Sequence, residues 1–166
     1  MAIDKTCNTC CFFGHRTINE TEELKEMLSE AIENLIVNEK VDTFLFGSKS
    51  RFDSLCLELV TKLKEKHPHI KRVYVRAEFP VIDESYLAYL LESYEETYYP
   101  EKLHGAGRAV YVERNCEMID HSRFCVVYYD EANTPAKRKS GTKLAYDYAV
   151  KRGRVIVNVV LDSVSS

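Results

Sequence analysis

Two apolar, strand-like runs in this chain end in glycine, and each leads through polar residues into a helix-like segment. The first covers residues 10–16, the second covers residues 43–49, and a looser third runs from residue 124 to residue 142. Strands that alternate with helices predict an α/β fold with a mainly parallel sheet and right-handed crossovers. In such a sheet the carboxyl ends of the strands meet at one edge, where ligands bind.

The spacing of apolar residues predicts about five strands, with helices on both faces of the sheet. We expect strands at 9–14, 43–46, 71–77, 124–129 and 155–160. Apolar residues spaced three and four apart predict long amphipathic helices after the first two strands, and Pro68 ends the second helix. We expect residues 110–112 to form a short extended piece, with helices over 114–121 and 142–152.

A tyrosine-rich, acidic stretch from about residue 78 to 108 interrupts this alternation. Loops of this length inside compact domains are usually functional or disordered, and the tyrosines favour an ordered segment. We interpret the stretch as an insert that covers one end of the sheet; a ligand-covering lid or a dimer contact is the alternative. The whole chain, 1–166, is expected to form a single domain.

Composition narrows the classes of partner. The formal net charge of −3 argues against nucleic acid, which usually binds a basic face, although a local basic pocket stays open. No apolar run approaches the roughly 20 residues that span a bilayer, and the N-terminus lacks a signal-peptide pattern. We therefore expect a cytoplasmic protein with no membrane partner.

The six cysteines include a Cys-x-x-Cys pair, Cys7 and Cys10. A structural zinc site needs two further ligands, and no second Cys-x-x-Cys or His pair follows. We favour structural or incidental thiols over metal or redox chemistry, and we expect no metal site.

Polar residues after the two glycines predict a site for an anion such as phosphate. Glycine lets the backbone approach a ligand closely, and Arg16 can contact phosphate or carboxylate with two N–H groups. The alternative is that Arg16 is solvated and that His15 only caps the turn. After Gly47, hydroxyl and N–H groups can cradle phosphate oxygens while Lys49 or Arg51 neutralises them. Asp53 either caps the next helix or accepts a ribose hydroxyl. This segment lacks the Walker pattern.

A third group of residues opens the last predicted helix, and a fourth, Arg114 with Asn115, can reach the same cleft. Capping and a tight turn are the alternative explanation for Ser140 and Thr142. The predicted ligand-binding residues are Gly14, His15, Arg16, Gly47, Ser48, Lys49, Arg51, Phe52, Asp53, Arg114, Asn115, Ser140, Gly141 and Thr142. No known catalytic motif, such as Gly-x-Ser-x-Gly or His-Glu-x-x-His, is found, and we assign no catalytic residue.

These residues resemble the SLOG superfamily, the Rossmann-like group that includes DprA, the LOG phosphoribohydrolases and YpsA-like proteins. The likeness runs from Cys11 to about Asn158 and is greatest to short, stand-alone members. It rests on Phe-Phe-Gly-His-Arg, on Phe-Gly-Ser-Lys-Ser-Arg-Phe-Asp-Ser, on Arg114-Asn115 with Met118, and on the late Ser-Gly-Thr segment. The resemblance implies a Rossmann-like fold, a nucleotide or nucleotide-derived ligand such as an ADP-ribose or NAD derivative, and a homo-oligomer. It implies no required cofactor.

The enzymatic members of this superfamily carry Pro-Gly-Gly-x-Gly-Thr-x-x-Glu and an Arg-Lys pair. Here no acidic residue occurs among the four that follow Thr142, so the expected glutamate is missing, and Asn115 stands where the lysine would be. Cleavage of an N-glycosidic bond needs a carboxylate at the sugar. We therefore expect a sensor or sequestering protein that binds without rapid chemistry. The alternatives are a nucleotide N-glycosidase that uses Asp147 or Glu113, and an interaction module that acts through the insert.

Overall fold

The computed structural model describes residues 6–103, 105, 107–133 and 140–160. The strands are β1 (Thr9–Gly14), β2 (Thr43–Phe46), β3 (Lys71–Val75), β4 (Glu96–Tyr98), β5 (Phe124–Tyr128) and β6 (Val155–Asn158). The α-helices are α1 (Glu22–Val37), α2 (Arg51–Lys66), α3 (Glu84–Leu91), α4 (Ala109–Asp120) and α5 (Gly141–Lys151). All strand pairs are parallel, and the sheet order is β4-β3-β2-β1-β5-β6. The predicted α/β, Rossmann-like fold is confirmed.

The described sheet has six strands rather than about five, because the insert contributes β4. This strand of three residues pairs with β3, and Glu95 beside it accepts hydrogen bonds from the Arg72 guanidinium at 3.1 and 2.5 Å. A strand this short shows no alternation in sequence, so its formation depends on the neighbouring strand that it joins.

Helices cover both faces of the sheet, and β1 shows why. Cys10 and Phe12 face the core under α1 and α2, whereas Cys11 and Phe13 face the core under α4 and α5. All four side chains are buried, as expected of a central parallel strand that is covered on both sides.

The extended piece predicted at 110–112 is wrong, because these residues lie in the first turn of α4. Valines favour strands in isolation, but tertiary packing overrides that preference. Met118 and Ile119 of the same helix are fully buried against the sheet, and α4 also packs on α5.

The chain reverses its direction of travel across the sheet between β1 and β5. It builds β1 to β4 toward one edge, then returns to place β5 on the other side of β1. Open α/β sheets bind ligands outside the carboxyl ends of strands at such a reversal. In the described ranges, no helix combines the length and the apolar character needed to cross a membrane.

Candidate functional site

A cleft of about 690 Å³ lies at the carboxyl ends of β1, β2 and β3 and at the start of α5. All of the residues predicted from sequence to bind ligand line it, except Phe52 and Asp53. The structure thus brings together four segments that are far apart in the chain. Their role as ligand contacts stays a prediction.

Asp53 stabilises the polar loop after β2 through hydrogen bonds. Its Oδ2 accepts a hydrogen bond from the Ser48 amide at 3.0 Å, and its own amide donates to Ser50 Oγ at 3.2 Å. Ser50, rather than Asp53, is the N-cap of α2. Asp53 is only 2% exposed, so it positions the loop instead of reaching into the cleft.

Burial raises the pKa of Asp53 to about 6, and hydrogen bonds from Ser48 and Gly47 and the charge of Arg114 partly oppose this shift. A carboxyl group whose pKa is raised in the folded state stabilises the fold when protonated. That contribution is complete below the ordinary value of 3.8 and is lost as the pH rises through about 6.

We therefore expect Asp53→Asn to change the pH dependence of stability. The asparagine keeps the acceptor for the Ser48 amide but cannot ionise. Relative to this variant, the wild type should lose on the order of 3 kcal/mol of unfolding free energy between about pH 4 and pH 8. Urea unfolding at several pH values measures this difference, and parallel curves for the two proteins would contradict it.

Gly47 lies against the buried side chain of Arg114. Arg114 Nη1 donates a hydrogen bond to the Gly47 carbonyl, and Arg114 is 5% exposed. A Cβ atom at Gly47 would lie 2.6 Å from Arg114 Cδ and Nε, closer than side-chain atoms tolerate. Burial lowers the pKa of Arg114, and the nearby Asp53 carboxylate opposes that shift. The contact fixes the end of β2 against α4.

Gly14 provides a second close contact, in this case with Phe52. A Cβ atom there would lie 2.6 Å from Phe52 Cδ2 and 3.0 Å from Tyr128 Cβ. Phe52 is fully buried, so it supports the floor of the cleft and does not line it. At both glycines the missing side chain makes room for the protein's own residues.

His15 connects the end of β1 to the end of β5. Its Nε2 accepts a hydrogen bond from the Asp130 amide at 2.9 Å, and its own amide donates to the Tyr128 carbonyl at 3.2 Å. Because Nε2 accepts a hydrogen bond, it carries no proton in this arrangement. Burial lowers the pKa of His15, which favours the same neutral ring.

The cationic side chains of the cleft differ in whether a carboxylate of the protein already pairs with them. Arg51 donates to both carboxylate oxygens of Glu20, at 2.7 and 2.5 Å, and so its charge is already balanced. Arg16 and Lys49 are exposed, and neither side chain has an ion-pair or hydrogen-bond partner in the described part of the chain. Arg76 also lines the cleft and donates only to neutral oxygens of Phe79, Thr97 and Pro80, so it adds to the positive charge of these two residues.

Helix α5 presents its N-terminus to the cleft. Ser140 caps this helix by accepting a hydrogen bond from the Lys143 amide at 3.0 Å. Among the described residues, no hydrogen bond uses the amides of Gly141 or Thr142, and a Cβ atom at Gly141 would meet nothing within 4 Å. Such free amides at a helix start favour an anion.

One side of the cleft was missed in the sequence. Tyr74, Ala77, Glu78 and Tyr111 line it together with Arg76, Phe79 and Tyr86. Residues 76–79 follow β3, so they lie at the same edge of the sheet as the other residues that come after strands. No glycine follows β3, and the sequence pattern that identified the other segments is therefore absent here. Tyr86 comes from the insert, and its place beside β3 follows from the pairing of β4.

The carboxylates considered for catalysis lie elsewhere. Asp147 forms an ion pair with Lys143 at 3.3 Å, and Glu113 accepts a hydrogen bond from the Gly105 amide at 2.9 Å. Neither residue lines the cleft. Glu78 is the carboxylate among its described lining residues, and Tyr111 Oη donates a hydrogen bond to it.

No protein-family model matches the chain. The chain is 31% identical over 147 residues to the uncharacterized SPbeta prophage-derived protein YoqJ of Bacillus subtilis (strain 168). The match covers 78% of this chain and 81% of YoqJ. It is long enough, and similar enough, to establish a family relationship over most of both proteins.

Two solved structures share the fold. DNA processing protein A (DprA) of Streptococcus pneumoniae superposes with a TM-score of 0.61 over 95% of this chain, and DprA of Helicobacter pylori with 0.59 over 92%. Both are 14% identical, and the chain covers 52% and 65% of their lengths. At this level of identity, the likeness shows that the fold is shared.

The H. pylori structure concerns a single-stranded DNA binding mode of DprA. The prediction that argued against nucleic acid as a partner is therefore wrong, since a protein of this fold binds single-stranded DNA. The net charge of the whole chain does not describe the charge inside one cleft.

Proposed function

The chain belongs to the family of the prophage-derived protein YoqJ, and from the geometry of its cleft we propose that it binds the phosphate of a nucleotide. The nucleotide is either free, or derivatised as in ADP-ribose, or part of a single strand of nucleic acid. We also propose that it is a short, stand-alone SLOG protein that senses or sequesters this ligand.

One observation carries the proposal: unused donors and unpaired cations line the same cleft. The amides of Gly141 and Thr142 lack protein partners among the described residues, and Arg16 and Lys49 form no ion pair there. Phosphate accepts charge-assisted hydrogen bonds from both kinds of donor, and these are roughly twice as strong as neutral ones.

The size of the cleft agrees with this ligand. Its volume of about 690 Å³ is within the range of small-molecule sites, and it exceeds what a lone phosphate needs. Binding without rapid chemistry is supported by the positions of Asp147 and Glu113, which lie outside the cleft.

A second candidate function is nucleotide N-glycosidase activity, and Glu78 is the observation that favours it. Its carboxylate lines the cleft, and a carboxylate is what such a reaction requires at the sugar. The hydrogen bond from Tyr111 occupies one of its oxygens. Release of free base during long incubation, detected by chromatography, would establish this activity.

We expect Arg16→Ala to weaken nucleotide binding by at least about tenfold, because it removes a charge-assisted contact with phosphate. Arg51→Ala should have a smaller effect, since Glu20 already balances that guanidinium. Calorimetric titration with nucleoside 5′-monophosphates, ADP-ribose and a 5′-phosphorylated single-stranded oligonucleotide measures these affinities.

Lys62→Ala is the matched control, because Lys62 is an exposed cation on α2 that does not line the cleft. It changes the net charge by the same amount and should leave the affinity unaltered. Equal losses in Arg16→Ala and Lys62→Ala would assign the binding to general electrostatics. Absence of binding by every ligand would overturn the proposal.

A further inference from the structure

A smaller cavity of about 330 Å³ adjoins the cleft. The two share Ser48, Lys49, Tyr74 and Tyr86 as lining residues, so they are direct neighbours. The smaller cavity is lined in addition by Phe46, Asp53, Ser54, Leu57, Tyr89, Leu90, Ser93 and Tyr94. We call it the tyrosine pocket.

Aromatic rings form the walls of the tyrosine pocket. Tyr86 and Tyr89 are stacked, with ring centroids 6.2 Å apart and planes at 22°. On another part of the wall, the ring centroids of Tyr74 and Tyr94 lie 5.2 Å apart, with the ring planes at 32°. Tyr89 is 66% exposed, so one large ring face is presented to solvent and not to the core.

The hydroxyl groups of these tyrosines are free to contact a ligand. Within the described ranges, no hydrogen bond is formed by the hydroxyls of Tyr74, Tyr86, Tyr89 or Tyr94. Partly buried tyrosines usually find a partner for this group. Burial raises the pKa of both Tyr74 and Tyr94, so they stay neutral donors at physiological pH.

We propose that the tyrosine pocket holds the nucleobase of the nucleotide whose phosphate the adjoining cleft binds; this inference rests on the proposed function. A planar base stacks on tyrosine rings whatever its identity, and tyrosine hydroxyls can hydrogen-bond to its edge. Ser48 and Lys49, which line both spaces, lie where phosphate and base are joined. The ligand class is a nucleoside 5′-phosphate with its base toward α3.

The test compares the four ribonucleoside 5′-monophosphates with ribose 5-phosphate, which lacks the base. The wild type should bind at least one monophosphate about tenfold or more tightly than ribose 5-phosphate, as expected for one stacked base. Tyr89→Ala, and Tyr86→Leu at a residue that lines both spaces, should remove most of that difference, and Tyr89→Ala should leave the affinity for ribose 5-phosphate unchanged. Tyr89→Phe keeps the ring and should retain it.

Leu91→Ala is the matched control, because Leu91 is an exposed apolar residue of α3 outside the pocket. It should bind every ligand as the wild type does. Repeating the series with a 5′-phosphorylated oligonucleotide shows whether the base belongs to a free nucleotide or to single-stranded nucleic acid. Dependence on Tyr89 in either series supports the inference.

Two outcomes separate the inference from the proposed function. If ribose 5-phosphate and the monophosphates bind equally well, or if the tyrosine variants bind them all like the wild type, the base lies elsewhere and the inference is overturned. The phosphate site then still stands. If no phosphate ligand binds the wild type, the proposed function fails and the inference fails with it.

Discussion

Replacing Gly47 with alanine is expected to destabilise the protein by about 3 kcal/mol. The new Cβ atom would lie 2.6 Å from Arg114 Cδ and Nε and 2.8 Å from Met118 Sδ. Both side chains are buried, so Arg114 must move and release its hydrogen bond to the Gly47 carbonyl. Urea unfolding at neutral pH measures the loss, and nucleotide affinity should fall with it because the loop after β2 shifts.

Gly141→Ala is the matched control for this variant. Gly141 lines the same cleft, but its added Cβ atom would meet nothing within 4 Å. Alanine also favours a helix more than glycine does, so stability should be unchanged or slightly higher. Equal stabilities of the Gly47→Ala and Gly141→Ala proteins would refute the packing that we describe around Gly47.

Replacing Arg114 with leucine should cost about 3 kcal/mol, because it removes a positive charge near the buried Asp53 carboxylate and the hydrogen bond to the Gly47 carbonyl. Asp53 is fully buried, and Arg114 is one of the groups that oppose the rise in its pKa. Without Arg114 the pKa of Asp53 should rise further. The loss of stability should therefore be larger at about pH 8 than at about pH 5, where protonation relieves the charge.

The double variant Gly47→Ala/Arg114→Ala shows whether these two effects arise from one contact. If the clash with Arg114 destabilises Gly47→Ala, shortening the Arg114 side chain relieves the strain at position 47. The sum of the losses of unfolding free energy in the two single variants should then clearly exceed the loss in the double variant. Strict additivity of the unfolding free energies would mean that the residues act independently. Circular dichroism at each pH confirms that the variants remain folded before comparison.

The long helices and the buried strands were predictable because each repeats one pattern over many residues. α1 and α2 bury a single apolar stripe, and β1 and β5 are apolar on both faces. The short β4 was not predictable, since its three residues form a strand only beside β3. Residues 110–112 illustrate the converse, because packing placed β-branched residues in a helix.

The candidate site was predictable where glycine and polar residues follow a strand. Its details depend on contacts that no local pattern records. Asp53 accepts a hydrogen bond from the Ser48 amide, Arg51 is bound to Glu20, and Phe52 fills the space left by Gly14. Each contact is made by a side chain of α2 whose direction is set by the tertiary fold.

The contribution of the insert to the site is the part that the sequence predicts least. Its tyrosines predicted an ordered segment. Their position in the fold, however, depends on the pairing of β4 with β3. Tyr86 reaches the cleft, and Tyr89 and Tyr94 line the tyrosine pocket beside it. A segment that interrupts the regular alternation thus supplies much of the aromatic surface at the candidate site.

Amide chemical-shift mapping during titration with a nucleoside 5′-monophosphate tests phosphate binding in the cleft most directly, since it reports where the ligand lies. We expect the largest shifts at Gly14–Arg16 after β1, at Ser48 and Lys49, and at Gly141 and Thr142, which all line the cleft. Arg16→Ala should clearly reduce these shifts at the same ligand concentration. Shifts confined to other surfaces, with these amides unmoved, would contradict a phosphate site at the carboxyl end of this sheet.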